Sequence, residues 1–422
     1  MRRSNNQDSQ AVMLASDVET WCKRGHVFVV ADGMGAHAAG ELASKMAADG
    51  IPHNYHKLAE LPPPNALRKA IRDVNATIHR RGQTNPEFHG MGTTASCLVL
   101  LPQGALCAHV GDSRVYRLRG TRFEQLTFDH SLVWEMSAAG QFSKDSPPSI
   151  VPKNIITRSL GPHADVQVDL EGPFPIEVGD IFFLCSDGIT AGKVTDVEMG
   201  QILQRRCLRP KPRVLVDLAN LRGGPDNITV IVVRITNKAL ATIPENAPEL
   251  LAIGEDLNER RASGRNAIFL WITAAAFFIG AMVMYSLAAD LPWFIKIIPL
   301  VASVMFLVFG FLQTMAPETA AMSYLPAGRM LGKGPHTRFE CTADRALAQD
   351  LAGKTRELQD AATQGNWSLD WSKFTQFSKA GTAALEQKDY GAAVREFGRG
   401  VTLDDGRIAE PPPQSQGRRR SR

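Results

Sequence analysis

The sequence lacks several features that would assign it to common classes of protein. Its 422 residues include only six cysteines, and no two of them have the CxxC spacing of a zinc or redox site. Acidic and basic residues nearly balance, 43 against 47, so nucleic acid is not predicted as a partner. No apolar stretch follows the N-terminal arginines, which argues against a signal peptide. We therefore expect reduced thiols in a reducing compartment.

The distribution of apolar and polar residues predicts five regions. A globular unit is followed by a linker rich in proline and charge, then by two long uncharged runs, a small helical part and a basic tail. The predicted bounds are 1–237 for the globular unit, 238–265 for the linker, 266–315 for a transmembrane helical hairpin, 316–409 for an all-α region and 410–422 for a disordered basic tail.

The two uncharged runs are each long enough to cross a bilayer, which needs about 20 residues. A buried helical hairpin in a soluble domain is the alternative. Basic residues flank the pair on both outer sides, Arg260, Arg261 and Arg265 before it and Arg329, Lys333 and Arg338 after it. This charge bias predicts a multi-pass protein of the inner membrane, with the first unit and the C-terminus in the cytoplasm.

The C-terminal region contains one weak repeat pattern, at about residues 374–405. Gly381, Tyr390, Ala393 and Phe397 fall at the spacing of a tetratricopeptide repeat, a helix–turn–helix unit. Only one repeat unit can be recognised, so the segment is either part of an incomplete array or a plain helical hairpin. It predicts a possible protein partner at these helices.

Aspartates stand at the ends of three apolar runs of strand type. One run ends in Asp32-Gly33, a second ends in Asp187, and a third begins just after Asp226. In an antiparallel sheet the end of one strand lies beside the start of its neighbour, so these side chains can converge, joined by Asp8. An Asp-Gly pair alone predicts only an ordinary turn; its repetition favours a site.

Clustered carboxylates without a cation repel one another, and their pKa values rise. Aspartate and backbone oxygens without histidine or cysteine are hard ligands, suited to Mg²⁺ or Mn²⁺. Two such ions can activate water and stabilise the oxygens of a displacement at phosphorus. The pattern therefore predicts a binuclear Mn²⁺ or Mg²⁺ centre.

Six ordered motifs resemble those of the metal-dependent (PPM, type 2C) Ser/Thr protein phosphatases in their bacterial form, over the first 237 residues. The motifs are Arg3-x-x-Asn-Gln-Asp8, Asp32-Gly-Met-Gly-Ala-His-x-x-Gly-Glu-x-Ala-Ser44, Gly111-Asp-Ser-Arg114, Asp129-His-Ser131, Ser186-Asp-Gly188 and Asp226-Asn-Ile-Thr229. The resemblance implies an α+β fold, a two-sheet antiparallel β-sandwich flanked by helices (αββα). It also implies hydrolysis of phosphoserine or phosphothreonine by a metal-bridging hydroxide, without a phosphoenzyme.

The same resemblance implies a role for each matching residue. Asp32 would bridge two ions, and the Gly33 carbonyl would bind one of them. Asp8 would hold one ion, and Asp187 and Asp226 the other; Asp112 would take part in a third, weaker site with Asp187. Arg3 would bind the substrate phosphate, for which a guanidinium is suited. Arg3 and Asp32 are thus the expected catalytic residues.

The chain departs from the family pattern at three places. Gln7 stands where the family usually has glutamate, which would weaken a water-mediated hold on a metal. Met34 replaces the histidine that serves as general acid in eukaryotic relatives, and the nearby His37 is expected to be structural. The strand that usually precedes the arginine is not seen before Arg3, so we expect an absent strand or a later start than the natural one.

The function expected from these residues is a membrane-anchored protein phosphatase that reverses a Ser/Thr kinase. Its expected partners are phosphoserine and phosphothreonine proteins and the kinase itself. Two alternatives stay open at this point. One is an interaction protein that binds phosphoproteins but hydrolyses them slowly, and the other is a phosphatase of small phosphate esters.

Overall fold

The computed structural model describes the following residues of the chain: 5–35, 38–143, 148, 150–152, 154–204, 211–242, 252–253, 282, 323–324, 331–365 and 371–402. They fall into two compact units, residues 1–250 together with 327–422, and residues 251–326. In the second unit, β11 (Ala252–Ile253) pairs with β12 (Ser323–Tyr324). All other elements below belong to the first unit.

The first sheet is antiparallel and consists of six strands in the order β1-β2-β4-β5-β8, with β3 paired to β2. Its strands are β1 (Asp8–Met13), β2 (His26–Met34), β3 (Gly92–Thr93), β4 (Ala95–Leu101), β5 (Gly104–Val110) and β8 (Asp169–Phe174). β4 and β5 are buried along their whole length, because the sheet is covered on both faces.

The second sheet is also antiparallel and has the order β10-β9-β6-β7-β13. Its strands are β6 (Arg114–Arg119), β7 (Arg122–Gln125), β9 (Ile181–Cys185), β10 (Val230–Arg234) and β13 (Thr337–Glu340). A core of buried side chains from both sheets, among them Phe28, Leu98, Val115, Phe182 and Leu184, fills the space between them. The two sheets therefore form a sandwich.

Helices cover the outer faces of the sandwich. Their bounds are α1 (Val18–Arg24), α2 (Ala38–Lys57), α3 (Pro63–Thr84), α4 (Leu132–Ala138), α5 (Gly188–Ala191), α6 (Asp196–Gln204) and α7 (Lys211–Leu221). The apolar residues at helical spacing within 65–78 are buried in α3, and Thr195 and Glu198 form a capping box at the start of α6. The predicted α+β class, with antiparallel sheets flanked by helices, is confirmed.

The C-terminal region contains three helices, as predicted, and one strand that was not predicted. The helices are α8 (Arg345–Gln364), α9 (Trp371–Glu386) and α10 (Tyr390–Thr402). Before them, β13 pairs with β7 and extends the second sheet. α9 and α10 form a helix–turn–helix in which the Phe397 ring lies directly against Gly381. No finding assigns a tetratricopeptide repeat to this hairpin, so the repeat stays a prediction.

The multi-pass location at the inner membrane is wrong for the helices that the structure describes, because none of them is long and apolar enough to cross a bilayer. The longer helices carry charges throughout; α8, for example, contains Asp350, Lys354 and Glu357. The two apolar runs predicted as a transmembrane hairpin, within residues 266–315, lie outside the described residues apart from Met282, as does the predicted tail at 410–422.

Candidate active site

Two of the predicted aspartates face each other at one end of the first sheet. Asp8 is the first residue of β1, and its partner across the β1–β2 pair is Asp32. The register places them together because the strands are antiparallel, so β1 begins where β2 ends. The Asp32 backbone is fixed by two threonines: its N–H donates to Thr94 Oγ1, and its carbonyl accepts from Thr93 Oγ1, each at 2.9 Å.

The second sheet brings two further aspartates to the same end of the sandwich. β9 ends at Cys185, two residues before Asp187, and Cys185 pairs with Val230 at the start of β10, four residues after Asp226. The Asp187 side chain lies within hydrogen-bonding distance of Asp32. One Asp226 carboxylate oxygen accepts from the backbone N–H of Asn227 at 2.8 Å. The predicted convergence of the strand ends is therefore present.

Asp112 lies in the bend between β5 and β6 and completes the cluster. The bend is held by His130, whose Nδ1 accepts the Gly111 N–H at 3.0 Å. The Asp112 carboxyl interacts electrostatically with Asp187 and with Asp32. Asp8, Asp32, Asp112, Asp187 and Asp226 thus form one group, which we call the carboxylate cluster.

Burial and mutual repulsion disfavour the charged forms in this cluster. Burial raises the pKa of Asp32 well above its ordinary value, and the charges of Asp8 and Asp187 raise it further. The pKa of Asp112 rises to about 8, first through burial and then through the Asp187 charge. Burial also raises the pKa of Asp8, although hydrogen bonds from Ser186 and Thr229 oppose the rise. Bound cations would stabilise the charged carboxylates and so lower these pKa values.

The cluster fits hard divalent cations by its donor atoms. Asp8 Oδ1 and Asp112 Oδ1 are buried without a hydrogen-bond donor. Among the described residues, no three carboxylate, imidazole or thiol groups already close around a single point. Mg²⁺ keeps several water ligands and needs only one or two carboxylates, so the oxygen set fits such an ion with water completing its shell.

Gly33 allows the close approach of three chain segments beside the cluster. A side chain at Gly33 would collide with the carbonyl oxygens of Gly40 and Gln7. The Gly33 N–H donates to the Gln7 carbonyl at 3.1 Å, and the Gln7 N–H donates to the Asn227 side chain at 3.0 Å. Gln7, the predicted departure from the family, is thus part of the wall beside Asp8.

Several residues that hold the cluster were given no role by the sequence. Ser186 donates to Asp8 Oδ2 at 2.7 Å and accepts the Thr229 N–H at 3.0 Å. Thr94 and Ser113 share a buried hydrogen bond of 2.7 Å between the Asp32 and Asp112 segments. Position was the only signal for Ser113 and Ser186, since each adjoins an aspartate beside a strand end; Thr94 carried no such signal.

The remaining predicted residues are structural or undescribed. Arg114 forms an ion pair with Asp129 at 2.7 Å and so orders the hairpin. His130 bonds the Asp112 bend and Asp169, which is a structural role. Arg3, the predicted phosphate ligand, lies outside the described residues, and so does His37.

A sandwich of antiparallel sheets flanked by helices, with acidic side chains gathered at one end, defines the class, an αββα protein with a cluster of hard oxygen donors. Comparison with known proteins specifies the family. The sequence model of protein phosphatase 2C matches residues 2–213. The chain therefore belongs to the protein phosphatase 2C family and is a protein serine/threonine phosphatase.

Known relatives agree with this family. The serine/threonine phosphatase stp of Listeria monocytogenes is 37% identical over 236 residues, which are 55% of this chain and 90% of that protein. The solved S. agalactiae serine/threonine phosphatase is 34% identical, with a TM-score of 0.49 over 56% of this chain and 95% of that one. The catalytic domain of the phosphatase PstP, solved with two manganese ions, is 29% identical with a TM-score of 0.46 over 56% and 94% of the two chains.

Proposed function

We propose that the carboxylate cluster binds two Mn²⁺ or Mg²⁺ ions and hydrolyses phosphoserine and phosphothreonine in proteins, reversing the action of a Ser/Thr kinase. The observation that carries the proposal is the cluster itself, in which buried oxygens of Asp8 and Asp112 lack a donor. Membership of the phosphatase family supports the reaction class. The manganese ions of the PstP structure support the identity of the metal.

Each residue of the cluster has a proposed part. Asp32 would hold both ions and the Gly33 carbonyl one of them; Asp8 would hold one ion, and Asp187 and Asp226 the other. Asp112 contributes to a weaker third position with Asp187. Bound ions would supply Lewis acidity and an activated water for attack at phosphorus.

The protein residues around the cluster fix its geometry. Ser186 and Thr229 orient Asp8, while Thr93 and Thr94 fix the Asp32 backbone. Such second-layer contacts keep ligands in position and tune their basicity. Arg3 would bind the substrate phosphate through its guanidinium.

The test is turnover of a phosphothreonine peptide by the full-length chain with Mn²⁺. Asp32→Asn removes the charge of the proposed bridge, and we expect activity to fall at least about 100-fold, as for the loss of a principal catalytic group. Asp73→Asn is the matched control, because Asp73 lies on the surface of α3, paired with Lys69, and activity should be retained.

Three results would contradict the proposal. Near-normal turnover by Asp32→Asn would remove the bridging role of Asp32. Phosphopeptide binding without turnover by the unmodified chain would favour an interaction protein, and equal turnover of small phosphate esters would favour a less selective phosphatase.

A further inference from the structure

Arg222 joins three separate parts of the chain. It directly follows α7 and stands four positions before Asp226, and its side chain is only 13% exposed. The guanidinium donates to the Lys193 carbonyl at 2.7 Å and to the two Glu198 carboxylate oxygens at 2.9 and 2.6 Å. It also donates to Asp350 of α8 at 2.7 Å.

The first two partners connect Arg222 to the segment that follows Asp187. Lys193 ends the turn after α5, a helix that begins directly after Asp187. Lys193 has a φ of 59°, a conformation that a lysine keeps only when its surroundings hold it. Glu198 closes the capping box at the start of α6. A single guanidinium therefore ties the segment after Asp187 to the segment before Asp226.

The turn between Arg222 and Asp226 is bonded to the end of α7, because the N–H groups of Gly223 and Gly224 donate to the carbonyls of Asn220 and Ala219 at 3.0 and 3.1 Å. Gly223 and Gly224 both have positive φ, 129° and 45°. A side chain added at Gly223 would meet nothing within 4 Å, so this part of the turn is not packed against other residues. The position of Asp226 in the cluster therefore depends on how firmly the end of α7 is fixed.

The C-terminal helices fix that end in two ways. Asp350 of α8 forms the ion pair with Arg222, and Leu221, the last residue of α7, packs against Leu358 of α8 and Phe374 of α9. Both contacts come from residues beyond the span that matches the phosphatase family, which ends at 213.

We propose that α8 and α9 form a built-in positioning module for the carboxylate cluster, in which Asp350 holds Arg222 and thereby the turn that presents Asp226. Asp350 and Arg222 are positioning residues, since neither belongs to the cluster. The inference rests on the proposed function, because it treats Asp226 as a cation ligand.

Loss of the Asp350 charge should loosen the turn without unfolding the protein. Arg222 would keep its bidentate pair with Glu198 and its bond to the Lys193 carbonyl, so no unpaired charge would be left buried. The substitution should therefore affect the position of Asp226 without affecting the stability of the sandwich.

The experiment is calorimetric titration of the full-length chain with Mn²⁺. For Asp350→Asn we expect Mn²⁺ affinity to fall about fivefold, less than the 10- to 100-fold typical of a residue bonded directly to a ligand. At saturating Mn²⁺, the KM for a phosphothreonine peptide should equal that of the unmodified chain. Asp350→Glu keeps the carboxylate and should restore most of the affinity.

Glu357→Gln is the matched control, since it removes a surface ion pair with Lys354 on the same helix. Its Mn²⁺ affinity should equal that of the unmodified chain. An unchanged Mn²⁺ affinity in Asp350→Asn would overturn the inference, even if the variant melted at a lower temperature. Absence of Mn²⁺ binding by the unmodified chain would overturn the proposed function as well, so the two failures are distinguishable.

Discussion

Asp169 connects the bend of Asp112 to the chain segment after α4. His130 Nδ1 accepts the Gly111 N–H, so its Nε2 carries the proton and donates to Asp169 at 2.9 Å. Arg158 donates to the other carboxylate oxygen at 2.9 Å. Burial alone would raise the pKa of Asp169, but the hydrogen bonds from His130 and Arg158, together with the Arg158 charge, lower it to about 2.

This pKa shift predicts a pH-dependent stability. A carboxyl whose pKa is 3.8 in the unfolded chain and about 2 in the folded one stabilises the folded state above about pH 4. The contribution, about 2 kcal/mol, is lost as the pH falls through 2. We expect Asp169→Asn to lower the free energy of unfolding by about that amount at pH 7, and the difference to shrink towards pH 2.

Denaturant unfolding of both proteins at a series of pH values measures this difference. Asp165→Asn is a control on an exposed aspartate nearby and should show no such dependence. A difference between Asp169→Asn and the unmodified protein that stayed constant down to pH 2 would contradict the assignment.

At the scale of residues, the sequence predicted the carboxylate cluster but not the residues that hold it in position. Asp32, Asp187 and Asp226 could be found because each stands at the end of an apolar run, where an antiparallel sheet brings strand ends together. Ser186 could not be assigned, because a hydroxyl beside a strand is equally typical of an ordinary turn. Asp350 lies 128 positions from Arg222, and no local pattern indicates such a contact.

Among the elements, β2 and α2 are closely packed where they meet beside the cluster. Gly33 near the end of β2 and Gly40 in α2 approach each other so closely that a methyl group at Gly33 would overlap the Gly40 and Gln7 carbonyls. The helix can reach this position only because both residues lack a side chain. The glycine is therefore required by the approach of α2 and of the Gln7 segment.

Gly33→Ala should force these segments apart. We expect the free energy of unfolding to fall by about 2 kcal/mol or more, because overpacking against backbone cannot be relieved by rotating a side chain. Activity should fall with it, since Asp32 is the preceding residue. Thermal unfolding and phosphopeptide turnover measure the two effects.

Gly353→Ala in α8 is the control with the opposite expected sign. A methyl group there meets nothing within 4 Å, and alanine favours a helix over glycine by about 1 kcal/mol. An equal, small effect of the two substitutions would show that the junction can relax, which would contradict the packing argument.

Elements were predictable where their signals are local. α3 and the start of α6 followed from apolar periodicity and from a capping box. β13 was missed, because Thr337–Glu340 is short and becomes a strand only by pairing with β7, more than 200 positions earlier in the chain. Pairing over such a distance overrides local propensity.

For the whole first unit, one apolar core joins the second sheet to the C-terminal helices. It includes Tyr116 and Phe183 from the sheet, Leu215 from α7, Leu351 from α8 and Phe397 from α10. A core shared in this way should unfold as one cooperative body, because neither part can lose its packing without exposing the other. The C-terminal helices would then be needed for the stability of the catalytic residues.

Phe397→Ala tests this cooperativity. Phe397 is 2% exposed and its ring lies against Gly381, so its loss should cost about 3 kcal/mol or more. We expect helix content and phosphatase activity to disappear together, at a temperature below that of the unmodified protein. Thr382→Ala, on the exposed side of α9, should leave both transitions in place. If activity survived after the helical signal had been lost, the C-terminal helices would be a separate folding unit, which would contradict a core shared with the second sheet.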